Sequence, residues 1–538
     1  MTLASNLSYP STSSDGTLRW KTQFYYTPTL NQGAAVGGAD SSTTHQYETE
    51  FLELNKALRK YREASQAIIR QLSLSHEVAL RTEQIMLSKQ QNGPANVLQD
   101  SELLSRQIEG KISKVAELLE KNAFVLESHL KPFPVTIGAS RFTNLEPDLT
   151  NTEDATTAYE HGPNELLQVT DELPPLARYI PPYKPHHQGS TNDSGEELPY
   201  QDAAQIVAHI TRDWTSDAAP IRKKTYDWIV DQLWKYHRQQ ASTYSATTGS
   251  LQCSIFSPVL VPGAGCGRLA YDLAFAYEEL NTQKERSGNS TKQYHFPFEV
   301  EAADSSIVMA SAAHHILNSG TPVQHEMYPF VNDPFINEVD TEKRWNSLLF
   351  PEDKVLKSLN RLSTQQSDEL HGTFVNEPAL SYTIGDFVTT YASKAKHQMY
   401  GTIATCYFID TATNIYEYIL TIQNLLRPNG LWINVGPVQW HRNAQLQPSL
   451  NELRQLIEQL GFEIHHWQVE DELVGYRHPS DVSGSRFTRS QGYRPLKFVA
   501  TYQGISGADD LNLVYLFEKV RLSTGRKSML HPIDDKRN

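Results

Sequence analysis

Cysteine is scarce in this chain, with three residues among 538. Cys253, Cys266 and Cys406 lie far apart, so they match neither the clustered spacing of a metal site nor a paired disulfide framework. Free thiols are typical of a reducing compartment. The spacing therefore predicts no bound metal and no disulfide, and it indicates an intracellular protein.

Long apolar runs and an excess of basic residues are also missing. No apolar stretch approaches the roughly 20 residues of a transmembrane helix, and residues 1–16 lack the apolar core of a secretory signal. The net charge of −14 argues against broad nucleic-acid binding, because phosphates require a basic surface. We expect a soluble cytoplasmic protein, with the nucleus as an open alternative, that binds neither nucleic acid nor membrane.

Composition and periodicity divide the chain into four regions. Residues 1–44 are rich in Ser, Thr and Gly, and we predict that they are mostly disordered. In residues 45–130 apolar residues recur three, four and seven apart, which predicts two long amphipathic helices that could serve a homodimer. Residues 131–200 are a connector rich in Pro, Asp and Asn. Residues 201–538 form the larger domain.

The larger domain alternates short apolar strands with helical patterns. This alternation predicts an α/β fold with a parallel sheet and helices on both faces. Polar stretches near 281–295 and 331–378 are predicted to be insertions into that core. The predicted strands are 259–261, 298–303, 380–384, 402–409, 431–435 and 496–501, and the predicted helices that follow strands are 269–280, 307–317 and 416–426.

A glycine-rich turn, Gly263, Gly265 and Gly267, follows the first of these strands. Ligands of open parallel sheets bind beyond the carboxyl ends of the strands, and glycines let the backbone approach a ligand closely. A dinucleotide fingerprint would require its third glycine at Arg268. The pattern instead resembles motif I of Rossmann-like class I methyltransferases, so the predicted cofactor is S-adenosyl-L-methionine.

Two further positions follow predicted strands. Asp304 could accept hydrogen bonds from two ribose hydroxyls, or it could cap the helix that starts after it. Asp386 could bind the adenine amino group while Phe387 stacks on the ring; the alternative is a turn with a core aromatic residue. The three features occur in the order that cofactor binding requires.

Longer segments resemble one particular family. Thr402–Ala412, Gly430–Pro437 with Trp440-His441, the glycine turn and Arg212-Asp213-Trp214 are similar to the carnosine N-methyltransferase family. The similarity covers roughly residues 200–505. Members of this family methylate the imidazole of carnosine, which gives anserine.

The resemblance implies roles for individual residues. Those expected at the cofactor are His209, Arg212, Gly263, Gly265, Gly267, Asp304, Asp386, Phe387 and Cys406, and those expected at the imidazole are Asp410, His441 and Tyr493. The sequence departs from the family pattern at His209, where glutamine is common, at Ala302-Ala303-Asp304, where Gly-Asn-Glu is common, and at Thr413, where histidine is common.

The resemblance also suggests a mechanism. A carboxylate at Asp410 would accept the imidazole N–H, so that the other ring nitrogen carries the lone pair, and it would stabilise the developing cation. Asp410 could instead cap the following helix, and His441 could be structural. The substrate alternatives are another imidazole metabolite or a protein histidine, and a non-catalytic binding scaffold is a further alternative.

Overall fold

The computed structural model describes ten stretches of the chain, namely residues 22–27, 39–90, 103–137, 203–244, 256–275, 298–319, 322–331, 344–364, 380–479 and 492–504. The connector beyond residue 137 and the insertion predicted near 281–295 lie outside these ranges.

A mixed nine-stranded sheet forms the centre of the fold, in the order β10-β13-β9-β8-β3-β4-β7-β1-β2. Two small antiparallel pairs, β5–β6 and β11–β12, lie apart from it. The strands are β1 Gln23–Tyr26, β2 Thr136–Ile137, β3 Val259–Pro262, β4 Val300–Asp304, β5 His325–Met327, β6 Leu348–Phe350, β7 Leu380–Ile384, β8 Tyr400–Cys406, β9 Leu426–Gly436, β10 Phe462–Val469, β11 Val474–Gly475, β12 Gly492–Tyr493 and β13 Leu496–Tyr502.

Eleven α-helices occur in the described ranges. They are α1 Ala39–Gln90, α2 Leu104–His129, α3 Ala203–Trp214, α4 Ala219–Lys224, α5 Tyr226–Tyr244, α6 Arg268–Phe275, α7 Ile307–Leu317, α8 Asp353–Thr364, α9 Phe387–Tyr391, α10 Ile415–Leu425 and α11 Leu450–Gln459. Within the part of the chain that the structure describes, no helix combines the length and apolarity needed to cross a membrane.

The predicted parallel core is confirmed. Strands β8, β3, β4 and β7 are parallel neighbours, and β9 joins β8 in the same direction. The sheet becomes mixed at one side, because β13 runs antiparallel to both β9 and β10. The alternating pattern of strands and helices indicates only the parallel part, since it carries no information on the direction of the last strands.

Helices cover both faces of this sheet. Successive residues of a strand point to opposite faces, and along β3 Val259 and Val261 belong to one hydrophobic cluster while Leu260 belongs to the other. The first cluster includes residues of α1, α2, α3, α5, α6 and α7, and the second includes residues of α9, α10 and α11. The doubly covered sheet agrees with the predicted fold class.

Two described parts of the region predicted to be mostly disordered form regular structure. Within residues 1–44, the segment Gln23–Tyr26 forms β1 and pairs in parallel with β7, and α1 already begins at Ala39. Phe24 is buried and its ring stacks on Tyr382 with 5.0 Å between centroids. Composition averages over the whole segment, whereas β1 buries two aromatic residues at alternate positions, Phe24 and Tyr26.

The two predicted N-terminal helices are confirmed and pack antiparallel. Arg62 of α1 forms ion pairs with Glu120 and Glu127 near the end of α2, while the backbone N–H of Ser105 at its start donates to Glu83. Several apolar side chains of α1 remain exposed. The homodimer through these helices stays a prediction. The exposed side chains include Leu52, Leu74, Val78, Ile85 and Met86.

Candidate functional site

The glycine turn after β3 has a backbone that only glycine accommodates easily. Gly263, Gly265 and Gly267 all have positive φ angles, of 65°, 55° and 83°. A Cβ atom at Gly263 would lie 2.5 Å from Cδ2 of Phe408, which is sterically impossible without movement. The turn therefore presents bare backbone at the carboxyl end of β3, where a ligand of such a sheet binds.

Asp304 is the last residue of β4 and binds this turn directly. Its Oδ2 accepts a hydrogen bond from the Gly265 N–H at 2.9 Å, and its Oδ1 accepts one from the Ser306 N–H at 2.9 Å. Burial raises the pKa of Asp304, and these backbone N–H groups partly offset that effect. The N-cap of α7 is Ser306, whose hydroxyl accepts from Met309. Asp304 is thus not the helix cap, and it joins the ends of two strands.

Asp386 and Phe387 follow β7. Asp386 is the N-cap of α9, and its Oδ1 accepts hydrogen bonds from both the backbone N–H and the hydroxyl of Thr389. Phe387 is buried, with edge-to-face contacts to Phe408 and Tyr418 at 5.2 and 5.3 Å between centroids. The alternative of a turn with a core aromatic residue therefore describes this packing, and cofactor contacts at both residues stay predictions.

Arg212 and Asp213, near the end of α3, form a buried ion pair beside the glycine turn. The Arg212 Nε donates to Asp213 Oδ1 at 2.8 Å. Nη1 of Arg212 and Oδ2 of Asp213 are buried and make no hydrogen bond within the described part of the chain. Two buried polar atoms of opposite charge without partners indicate a site for a bound group.

His209 lies one helical turn before Arg212 and contacts it. Its Nδ1 is 3.0 Å from Nη2 of Arg212. Burial, together with the charge of Arg212, lowers the pKa of His209 to about 3. The imidazole is therefore neutral at physiological pH, and since a guanidinium can only donate, Nδ1 accepts and the proton is on Nε2. The same Nδ1 lies 3.5 Å from the position that a Cβ of Gly265 would occupy.

A network of buried charges holds the end of α3. Glu352, carried by the segment predicted as an insertion, accepts hydrogen bonds from Arg222 at 2.5 Å and from Arg268 at 2.6 Å. These residues also satisfy carbonyl groups that the end of a helix leaves without partners. The donors and acceptors, each pair at 2.7 Å, are Arg222 Nη1 to Arg212 O, Arg268 Nη1 to Asp213 O, and Glu352 N to Trp214 O.

A cavity of about 320 Å³ lies beyond the carboxyl ends of β8 and β9. It brings together the three residues predicted to contact the imidazole, Asp410, His441 and Tyr493. Tyr493 reaches it from β12, so the predicted position of that tyrosine lies at the site. The remaining lining residues are Tyr407, Pro437, Gln439, Tyr476 and Gly492.

Asp410 is the buried carboxyl group of this cavity. It sits in a short 3-10 turn, Ile409–Thr411, and is 4% exposed. Burial raises its pKa to about 7, although a hydrogen bond from the Gln439 backbone N–H acts in the opposite direction. The N-cap of α10 is Asn414, so Asp410 does not cap the following helix. The backbone N–H of His441 donates to the Asp410 carbonyl at 3.0 Å, which holds the two residues together.

Tyrosines surround Asp410. Tyr407 has a positive φ of 54°, and its ring contacts those of Tyr476 and Tyr493 at 5.4 and 5.3 Å between centroids. The Arg212 guanidinium lies over the rings of Tyr407 and Tyr476, at 4.6 and 5.0 Å. The cavity is thus in contact with the ion pair at the glycine turn.

Sequence reasoning missed Tyr407 and Tyr476. Tyr407 directly follows Cys406, the last residue of β8, so its place at a strand end was a usable signal. Tyr476 follows β11 in a stretch without periodicity, and it reaches the cavity because Val474 pairs with Tyr493. Cys406 itself is buried, and burial raises the pKa of its thiol.

The strand order, the glycine turn after β3 and the carboxylate at the end of β4 define the class of Rossmann-like methyltransferases. The chain belongs to the carnosine N-methyltransferase family, whose model matches residues 191–502. The resemblance inferred from the sequence is thereby confirmed.

Over the aligned residues, the relatives are about one quarter identical to this chain. The carnosine N-methyltransferase of Schizosaccharomyces pombe is 27% identical, over 51% of this chain and 66% of the relative. That of Mus musculus is 26% identical, over 50% and 55%. The match thus spans between about half and two thirds of the relatives. A solved phosphoethanolamine N-methyltransferase of Haemonchus contortus is similar at 11% identity, over 49% of this chain and 53% of that chain, with a TM-score of 0.26.

Proposed function

We propose that the protein transfers a methyl group from S-adenosyl-L-methionine to an imidazole nitrogen of carnosine, giving anserine and S-adenosylhomocysteine. One observation carries the proposal: a buried carboxyl group, Asp410, lines a cavity that lies close to the glycine turn. Tyr407 lines that cavity, and its neighbour Phe408 contacts Gly263. A small aromatic ring in the cavity would therefore lie next to a ligand on the turn.

The residues around the turn fit the proposed cofactor. Asp304 would accept the ribose hydroxyls, since each carboxylate oxygen accepts more than one hydrogen bond. Nη1 of Arg212, which has no hydrogen-bond partner among the described residues, is suited to the carboxylate of the cofactor. Asp386, His209 and Cys406 would complete the cofactor site. When bound, the cofactor supplies a methyl group on a sulfonium, which is attacked in line by a lone pair.

Asp410 would select the reactive form of the substrate. An ionised carboxylate accepts the N–H of a neutral imidazole, which leaves the lone pair of the other ring nitrogen facing the methyl group. The ring gains a positive charge during transfer, and a carboxylate in a buried site stabilises that charge strongly. His441 and Tyr493 would orient the ring or the substrate carboxylate. Holding the two reactants in line adds to this effect, because it removes the entropy cost of bringing them together during the reaction.

The proposal is tested by mass spectrometry after incubation of the pure protein with S-adenosyl-L-methionine and carnosine, with free histidine in parallel. We expect one methyl gain on carnosine and its loss in Asp410→Asn. The exposed Asp471→Asn is the matched control and should retain full activity. If the protein binds the cofactor but leaves carnosine unchanged, carnosine is the wrong substrate, and other imidazoles and histidine-containing proteins are to be assayed next.

A further inference from the structure

Among the described residues, only one of the two carboxylate oxygens of Asp213 accepts hydrogen bonds. Its Oδ1 accepts hydrogen bonds from Arg212 Nε at 2.8 Å and from the Tyr226 hydroxyl at 2.7 Å. Its Oδ2 is buried and accepts none within the residues that the structure describes. The residue is 1% exposed, so bulk water does not compensate. A carboxylate oxygen buried in this way is costly unless a donor meets it.

The unused oxygen lies beside the glycine turn. Oδ2 of Asp213 is 4.0 Å from the point that a Cβ of Gly265 would occupy, and the side chain that would fill this space is absent. The polar groups of Gly265 itself are already engaged, because its N–H donates to Asp304 and its carbonyl accepts from the Tyr382 hydroxyl at 2.6 Å. A cation at the turn would therefore find its free acceptor at Asp213.

The charge of this site is suited to a zwitterion. Burial alone would raise the pKa of Asp213, but the adjacent guanidinium of Arg212 outweighs burial and lowers it, so the carboxylate is ionised. Arg212 likewise has one atom, Nη1, that makes no hydrogen bond to any residue the structure describes. One negative and one positive group, adjacent in the chain and each with one unused position, match an α-amino acid end, whose ammonium and carboxylate share one carbon.

Taking Nη1 of Arg212 as the contact to the α-carboxylate, as in the proposed function, we propose that Oδ2 of Asp213 binds the α-ammonium of the amino-acid end of S-adenosyl-L-methionine. The assignment rests on the proposed function and extends it to a residue with its own test. Asp213 would act in cofactor binding. It would also favour a ligand that carries a free amino group over one that lacks it.

The experiment is calorimetric titration with two ligands, S-adenosylhomocysteine and an analogue in which hydrogen replaces its α-amino group. We expect the wild type to bind S-adenosylhomocysteine about 10- to 100-fold more tightly, as a charge-assisted hydrogen bond implies. In Asp213→Asn this preference should fall to about twofold or less, with the affinity for the analogue unchanged or higher. Tyr226→Phe removes a hydrogen bond to the other oxygen and should keep the preference.

Several results would overturn the assignment. Asp213→Asn could weaken both ligands equally, which would indicate a purely structural role, or Tyr226→Phe could abolish the preference as well. The ratio of two affinities in one preparation does not depend on the folded fraction. If Asp213→Asn does not fold, the wild type still decides, because equal binding of both ligands refutes the inference while the proposed function stands. If the wild type binds neither ligand, the proposed function fails too.

Discussion

The Asp410 carboxyl group has a pKa of about 7 because it is buried, against 3.8 for an ordinary aspartate. The folded state thus holds this proton more tightly than the unfolded chain does. The free energy of unfolding therefore falls as the pH rises from about 4 to about 7, and above pH 7 the folded state carries the full cost of ionising the buried group. At 1.36 kcal/mol per pKa unit, the difference amounts to about 4 kcal/mol.

Asp410→Asn replaces the carboxyl group by an amide of the same shape that carries no charge. We expect its free energy of unfolding at pH 8 to exceed that of the wild type by up to about 4 kcal/mol, and the two proteins to be nearly equal at pH 4. Turnover of carnosine should fall by at least about 100-fold, because the amide cannot stabilise the charge that develops on the ring. The variant would be more stable and less active, as expected where function keeps a buried charge.

Urea unfolding between pH 4 and 8 measures the first effect, with the exposed Asp471→Asn as the control variant. The pH dependence of kcat/KM measures the second. The wild type requires an ionised Asp410 and a neutral imidazole, whose unperturbed pKa is near 6.5, so log kcat/KM should rise with a slope of two well below pH 6. In the variant the slope should be one. An Asp410→Asn protein that is less stable than the wild type at pH 8, or a slope of two in the variant, would refute the reasoning.

Three further predictions concern stability and cofactor binding. Glu352→Gln should lower the free energy of unfolding by about 3 kcal/mol, because it leaves two buried arginines without their shared carboxylate. Urea unfolding measures this effect, with the exposed Asp353→Asn as the control, and an equal loss of stability in both variants would contradict the prediction. Gly263→Ala should abolish the binding of S-adenosylhomocysteine, measured by calorimetry, because the new Cβ would lie 2.5 Å from a phenylalanine ring. Gly504 also has a positive φ but has open space around it, so the control Gly504→Ala should bind the ligand normally. Burial lowers the pKa of His129 to about 4, so on acidification the unfolded chain binds a proton at this residue before the folded protein does. The free energy of unfolding should therefore fall by up to about 3 kcal/mol as the pH drops from 6.5 to 4. His129→Gln should reduce that fall, and an unchanged pH dependence in the variant would contradict the prediction.

The elements of the core could be predicted because their cause is local. Strand β7 has the predicted limits, Leu380–Ile384, and α7 has the predicted limits, Ile307–Leu317. Apolar periodicity and β-branched runs indicate such elements directly. The glycine turn and Asp410 belong to the same category, since parallel strands place whatever follows their carboxyl ends at one edge of the sheet. The resemblance of short segments to a family then indicated the proposed chemistry.

Other features depend on contacts between distant segments. Glu352 lies 130 residues from Arg222 and 84 from Arg268, and no local pattern relates the three. Tyr476 reaches the cavity only because β11 pairs with β12. The unused oxygen of Asp213 is visible only once its neighbours are in place. The sequence by itself determined the core strands and helices and the strand ends at which the candidate site residues lie, because these follow from local patterns. The tertiary structure decided burial, and with it the pKa of Asp410 and the polar atoms left without partners among the described residues, since burial is set by the whole chain.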